Sequence, residues 1–242
     1  GAGKVSHDVD ALPHSRSFPP AAGRDRCPLR GELPCHLPTD PSGRAGDETR
    51  FPCQAKIHAA ASVQGVTILL LARHGQTDWN RDGIWQGQAD PPLNALGRRQ
   101  ARALADRVSR WPVEAVYASD LRRARETAEI VAAALGLPVI VDPGLRESDV
   151  GSWTGLTSTE IAQRFPGWEY HDGEPREAFQ ARAVHAAERI AQAHEGTTVL
   201  VVTHGGVVRA LQRHALGEPL PVIENGGLYA LHVETRLFLP ID

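Results

Sequence analysis

Two short apolar runs in this chain stop at the same kind of residue: 66–72 ends at Arg73-His74-Gly75, and 198–203 ends at His204-Gly205-Gly206. Between them stand Arg122-Arg123 and Glu147. Two imidazoles, a set of guanidiniums and one carboxylate suit phosphoryl transfer, where charge on the equatorial oxygens is neutralised and attacking and leaving atoms are held in line. One imidazole attacks phosphorus, which divides a hard hydrolysis into two easier steps. The arginines clamp the phosphoryl oxygens with paired donors that lysine lacks. Glu147 would protonate the departing alkoxide and then take a proton from water. Singly, each signal is weak. Arg-His-Gly is also how a strand simply ends, Glu147 also suits an ion pair with Arg146, and a lone strand-end histidine such as His204 is often a core residue. The repetition is what carries the reading.

The elements that must position these residues are legible from periodicity. A short apolar run stopped by charge and glycine is the pattern of a fully buried strand, so each histidine leaves a sheet at its carboxyl edge, where ligands bind in open α/β folds. Residues 96–108 repeat apolar positions at helical spacing (Ala101, Leu104, Ala105, Val108), and 113–118 reads as a strand. Ser119 and Asp120 are predicted N-caps for a helix over 121–135, which Gly136 stops. A short strand at 139–141, a loop over 145–155, helices over 158–164 and 175–194, the strand 198–203, a helix over 207–216 and a last strand near 228–233 follow. Strands alternating with helices predict one α/β domain over 66–242, three layers (αβα) around a mostly parallel central sheet. Trp79, Trp85 and Trp153 are assigned to packing under loops. His171, His185, His194, His214 and His232 fall on polar faces or in loops and receive no role.

Composition bounds the rest. Residues 1–65 are rich in Pro, Gly, Arg, Asp and Ser and carry neither strand nor helix periodicity, so they are expected to be a disordered amino-terminal extension. A zinc knot from Cys27, Cys35, His36, Cys53 and His58 is the disfavoured alternative, because the close Cys-x-x-Cys pairing is missing. A net charge of -3 excludes a generally basic surface, so neither nucleic acid nor an acidic membrane is expected as a partner. Three cysteines do not close a disulfide framework, which points to a reducing, cytoplasmic compartment. No run approaches the roughly 18 apolar residues of a membrane helix, and the start has no secretory pattern.

Five ordered stretches identify a resemblance. They are Arg73-His74-Gly75-Gln76-Thr77-Asp78-Trp79-Asn80, then Gly87-Gln88-Ala89-Asp90-Pro91-Pro92-Leu93, then Ser119-Asp120-Leu121-Arg122-Arg123-Ala124-Arg125-Glu126-Thr127-Ala128, then Leu145-Arg146-Glu147, and Thr203-His204-Gly205-Gly206. Residues 66–233 resemble the histidine phosphatase superfamily, in its phosphoglycerate-mutase-like branch. That resemblance implies phosphorylation of His74, a phosphate pocket completed by Arg73, Arg123 and His204, and Glu147 as acid and base. The family motif places its arginine immediately before alanine, which selects Arg123 and leaves Arg122 on the surface. Asn80, Gln86, Gly87 and the backbone of Gly205 match positions that touch phosphate or substrate. No metal and no cofactor is implied.

Mutases of this family carry a long lid between glutamate and second histidine; here the interval is short and 165–174 supplies no comparable lid. Water then reaches the phosphohistidine, so hydrolysis of a small phosphorylated metabolite is expected, with cofactor-dependent phosphoglycerate mutase as the alternative. A catalytically inactive phosphate-binding or docking module is the alternative of another class, disfavoured because His74 and Glu147 are both present. Gly173-Glu174-Pro175 departs from the Gly-Gly-Glu-Ser of many relatives and leaves the particular monoester open.

Overall fold

In the computed structural model, residues 65–167, 172–217 and 223–241 are described. The extension expected over 1–65 lies outside them except for Gly65, and the zinc alternative and His171 lie outside them entirely. The first strand, β1 (Ile68–Arg73), is buried along almost its whole length, as an unbroken Ile-Leu-Leu-Leu-Ala run requires. Its parallel neighbour β4 (Thr198–Thr203) is buried at every residue. With β2 (Val113–Ala118), β3 (Val139–Val141), β5 (Leu228–His232) and β6 (Leu237–Ile241) they form one six-stranded sheet in the order β3-β2-β4-β1-β5-β6. β1 to β4 run parallel to one another, whereas β5 is antiparallel to β1 and β6 to β5.

Alternate strand residues face opposite layers. Ile68, Leu70, Ala72, Val116, Leu200 and Val202 pack against α2 (Ala95–Val108) and α3 (Arg122–Leu135) through Leu104, Val108, Ala128 and Val131. Leu69, Leu71, Val199 and Val201 pack on the other face against α5 (Arg176–Ala193) and α6 (Gly205–Leu216) through Ala183, Ile190, Val208 and Leu211. The predicted three layers are therefore present. Two short helices, α1 (Asp78–Arg81) and α4 (Ser158–Arg164), lie in the long connections, each started by a threonine capping box. None of the described helices is long and apolar enough to cross a membrane.

Three local expectations are corrected. Leu121, not Ser119 or Asp120, is the N-cap of α3, and it makes no side-chain cap. Both polar residues are engaged elsewhere: Ser119 with His204, and Asp120 with Arg146. The hairpin partner β6 was not anticipated from the sequence, and it turns through Arg236 at φ 53°. His232 is buried within β5, not on a polar face.

Register places the site. Arg73 pairs with Thr203 across β1 and β4, so His74 and His204 leave adjacent strands at the same level. Ala118 pairs with Val202, which brings Ser119 to that level from the other side.

Candidate active site

His74 and His204 meet edge to face with ring centroids 5.1 Å apart. Both are almost wholly buried. The Nδ1 of His74 lies 2.7 Å from the carbonyl oxygen of Gly75, and because that oxygen only accepts, the ring carries its proton on Nδ1. Nε2 is thereby left with its lone pair, and the Nε–H of Arg123 donates to it at 3.2 Å. Burial first, then the charges of Arg123 and Arg73, hold the His74 imidazole well below its ordinary value of 6.5, so it is neutral.

Arg123 is 1% exposed, on the first turn of α3. Two of its four remaining N–H groups reach the carbonyls of Ala89 at 2.6 Å and Gly87 at 2.8 Å, which fixes the guanidinium against the loop carrying Gln86. Burial lowers its pKa to about 10, which leaves it charged at neutral pH. Arg122, one residue earlier, turns outward and pairs with Glu126 at 2.7 Å. Arg73 donates to the carbonyl of Ile223, while its buried Nε has no hydrogen-bond partner.

His204 is the N-cap residue of α6. Ser119 Oγ accepts from the amide of Leu121 at 3.3 Å and stands 2.9 Å from His204 Nε2. His204 Nδ1 is buried and unpartnered. Burial, Arg123 and His74 keep His204 neutral as well, well below 6.5.

Glu147 reaches the same edge from the loop after β3. One carboxylate oxygen accepts from the amide of Ser148 and the other from the amide of Gly206, each at 3.0 Å. The loop is tied in place by Thr203 Oγ1 on the carbonyl of Leu145, and by Arg182, which holds the carbonyls of Gly144 and Arg146 and pairs with Glu174 at 2.7 Å. Arg146 pairs with Asp120, not with Glu147.

The expected catalytic five thus come together. Of the expected contact residues, Asn80, Gln86 and Gly87 line a cavity of about 900 Å³ that His74, Arg73, Arg123 and Glu147 also border. Gln86 Oε1 is buried there without a partner. Gly205 starts α6 against the Arg73 side chain: a β-carbon there would stand 3.4 Å from Arg73 Nε. Trp85 and Trp153 do pack together, with centroids 5.4 Å apart, yet with Trp79 they also form part of the cavity wall. Sequence reading missed Arg182 and Asn225 and gave Ser119 only the role of a helix cap. Asn225 Nδ2 donates to the His74 carbonyl at 3.0 Å and to Asn80 Oδ1 at 3.3 Å, joining the end of β1 to the wall. No periodicity or adjacent motif marked Arg182 or Asn225.

Comparison with known proteins identifies the family. A sequence model of the Histidine phosphatase superfamily (branch 1) matches residues 69–236. The chain belongs to that superfamily. A metal-independent phosphoserine phosphatase of Arabidopsis thaliana is 41% identical over 161 residues, 60% of this chain and 67% of that one. A glucosyl-3-phosphoglycerate phosphatase of Mycolicibacterium vanbaalenii is 34% identical over 182 residues, 67% of this chain and 81% of that one. Among solved structures, Bacillus stearothermophilus YhfR superposes with a TM-score of 0.67 at 34% identity, covering 72% of this chain and 95% of that one.

Proposed function

We propose that this protein hydrolyses small phosphate monoesters through a phosphohistidine on His74. The observation that carries the reading is the state of that ring: neutral, with Nδ1–H held by Gly75 and the Nε2 lone pair held by Arg123. In the first step the hydrogen bond from the Arg123 Nε–H turns from Nε2 to a phosphoryl oxygen, Nε2 attacks phosphorus with the lone pair so freed, the nitrogen–phosphorus bond forms, the bond to the alkoxide oxygen breaks, and Glu147 gives that oxygen its proton. In the second, Glu147 takes a proton from water, the water oxygen attacks phosphorus, and phosphate leaves His74. Arg73, Arg123 and His204 Nδ1 donate to the phosphoryl oxygens, giving the unpartnered atoms of Arg73 and His204 their hydrogen bonds. Asn80, Gln86, Gly87 and the Gly205 backbone contact the rest of the substrate, Gln86 Oε1 accepting from a hydroxyl.

Hydrolysis is favoured over phosphate return because the interval between Glu147 and His204 is short and supplies no sequence comparable to the mutases' long lid, which leaves a phosphohistidine open to water. A single catalytic domain over 66–242, a cytoplasmic site of action and partners limited to small phosphorylated metabolites belong to the same reading. The test is a panel of phosphate monoesters with the wild type and His74→Ala, with bisphosphoglycerate-dependent mutase activity measured alongside. Phosphate release lost in the variant is expected. Mutase turnover exceeding phosphate release would overturn the choice, and unchanged hydrolysis in the variant would overturn the mechanism.

A further inference from the structure

Behind the ring of His74 runs a chain of hydrogen bonds that ends on α2, a helix that lends the cavity wall no residue. The Gly75 carbonyl that takes the Nδ1–H of His74 at 2.7 Å belongs to the same peptide group as the amide of Gln76. That amide donates to Gln100 Oε1 at 2.8 Å. A peptide N–H only donates, so the atom of Gln100 that faces it is the oxygen. One planar group joins the two bonds, and its plane cannot turn without disturbing both. An N–H so engaged also polarises the peptide and makes its oxygen the stronger acceptor.

The close approach of α2 makes the contact. Gly97 and Gln100 are neighbours on one face of that helix, three residues apart. At Gly97 the helix lies so near the chain after His74 that a β-carbon would stand 2.7 Å from the Gln76 nitrogen, and one turn later Gln100 reaches the hydrogen of that nitrogen. The start of α2 adds two bonds to the same residue: the amide of Asn94 donates to the Gln76 carbonyl at 3.0 Å, and its Nδ2 to Gln76 Oε1 at 2.9 Å. Gly226 backs the Gln100 side chain, since a β-carbon on it would stand 3.3 Å from Gln100 Cβ. The peptide before Gly75 is held separately, its N–H by Thr127 Oγ1 at 3.1 Å and its carbonyl by Asn225.

We infer that Gln100 is a positioning residue for the nucleophile: acting through the 75–76 peptide, it holds the His74 proton on Nδ1 and keeps Nε2 aimed at phosphorus. The inference rests on the phosphohistidine reading and adds to it the group that prepares the ring. When Nε2 gives its lone pair to phosphorus, the proton stays on Nδ1 and positive charge spreads over the imidazole. The bond to the Gly75 oxygen then strengthens, and the Gln100 bond with it. An interaction that grows toward the transition state raises the rate. A carboxylate beside an imidazole base does this work with a full charge; here a neutral amide does it across one peptide.

The test uses Gln100→Met, which keeps the length of the side chain and removes the acceptor, and Gln100→Glu, which keeps an acceptor. Magnetic resonance of protein labelled with heavy nitrogen in histidine reads the ring directly. In the wild type the Nδ1 and Nε2 signals of His74 should be those of a protonated and an unprotonated nitrogen, and in Gln100→Met they should move toward each other as the proton is shared. There kcat/KM should fall by about tenfold, the scale on which losing the partner behind a working imidazole costs activity. It should fall by the same factor for p-nitrophenyl phosphate and for an alkyl phosphate, because the attacking nitrogen and not the proton donor is disturbed. Gln100→Glu should recover the wild-type ring signals and most of the rate, and Arg102→Gln, exposed on the same helix, should change neither. If Gln100→Met does not fold, Gln100→Asn, one methylene too short to reach the Gln76 amide, replaces it in both measurements. A His74 ring that keeps its proton on Nδ1 without the acceptor, or a rate that falls for the alkyl phosphate alone, overturns the inference while the hydrolase reading stands. Absence of turnover by the wild type with any ester overturns the hydrolase reading itself.

Discussion

The carboxylate of Glu147 lies across the first turn of α6 so closely that a β-carbon on Gly206 would stand 2.0 Å from its Oε1. Glycine at 206 is therefore a condition for the position of the acid. Gly206→Ala should push the carboxylate away from the leaving oxygen and lower kcat/KM, which reports the first step, by about a hundredfold for an alkyl phosphate, the scale on which misplaced proton transfer costs rate. The kcat/KM for p-nitrophenyl phosphate, whose leaving group needs no proton, should fall far less. Steady-state kinetics on the two esters reads the difference.

The two site histidines make stability depend on pH. Folded, both are held well below 6.5 by burial and neighbouring guanidiniums; unfolded, both take up protons near 6.5. Between these values the unfolded chain binds more protons, so their contribution is complete above 6.5 and is lost as pH falls below it. Each histidine should cost up to about 1.4 kcal/mol per pH unit in that window. Denaturant titrations from pH 7 to pH 5 should show a shallower slope in the doubly substituted His74→Asn, His204→Gln protein.

Ser119 stands 2.9 Å from His204 Nε2, where its hydroxyl, by donating, holds the ring proton on Nδ1 for the proposed contact with phosphate. Ser119→Ala removes the donor to Nε2 and lets the ring proton move there, leaving Nδ1 unable to donate to a phosphoryl oxygen. Stability should fall by about 1 kcal/mol and affinity for inorganic phosphate, read by calorimetry, by about tenfold.

Gly97 lets the start of α2 lie against the loop after His74: a β-carbon there would stand 2.1 Å from the Gln76 carbonyl oxygen. Gly97→Ala should destabilise the fold by about 1–3 kcal/mol, as overpacking does, and disturb the Gly75 carbonyl that orients His74. Urea unfolding and kcat should fall together.

Of the candidate site, His74, His204 and Arg123 are legible because each ends or begins an element whose period is plain: His74 and His204 close unbroken apolar strands, and Arg123 lies in the first turn of a helix with a clear stripe. What escaped has a physical cause. Ser119 and Asp120 have the chemistry of helix caps, but β2 delivers them beside His204 and Arg146, whose side chains hold them in place of the helix amides. Asn225 and Arg182 act across 145 or more and about 35 positions of chain respectively, through distances only the sheet order creates. Strand order and the antiparallel β5–β6 hairpin follow from tertiary pairing, to which local period is blind.

The account stands most directly on a covalent bond between phosphorus and His74 Nε2. With Glu147→Gln, whose second step lacks its base, p-nitrophenyl phosphate should leave a phosphoryl group on the protein that is stable in alkali, labile in acid and located on His74 by mass spectrometry, one per chain. Steady turnover by the wild type with no such adduct in either protein, or the same adduct formed in a His74→Asn protein, would contradict it.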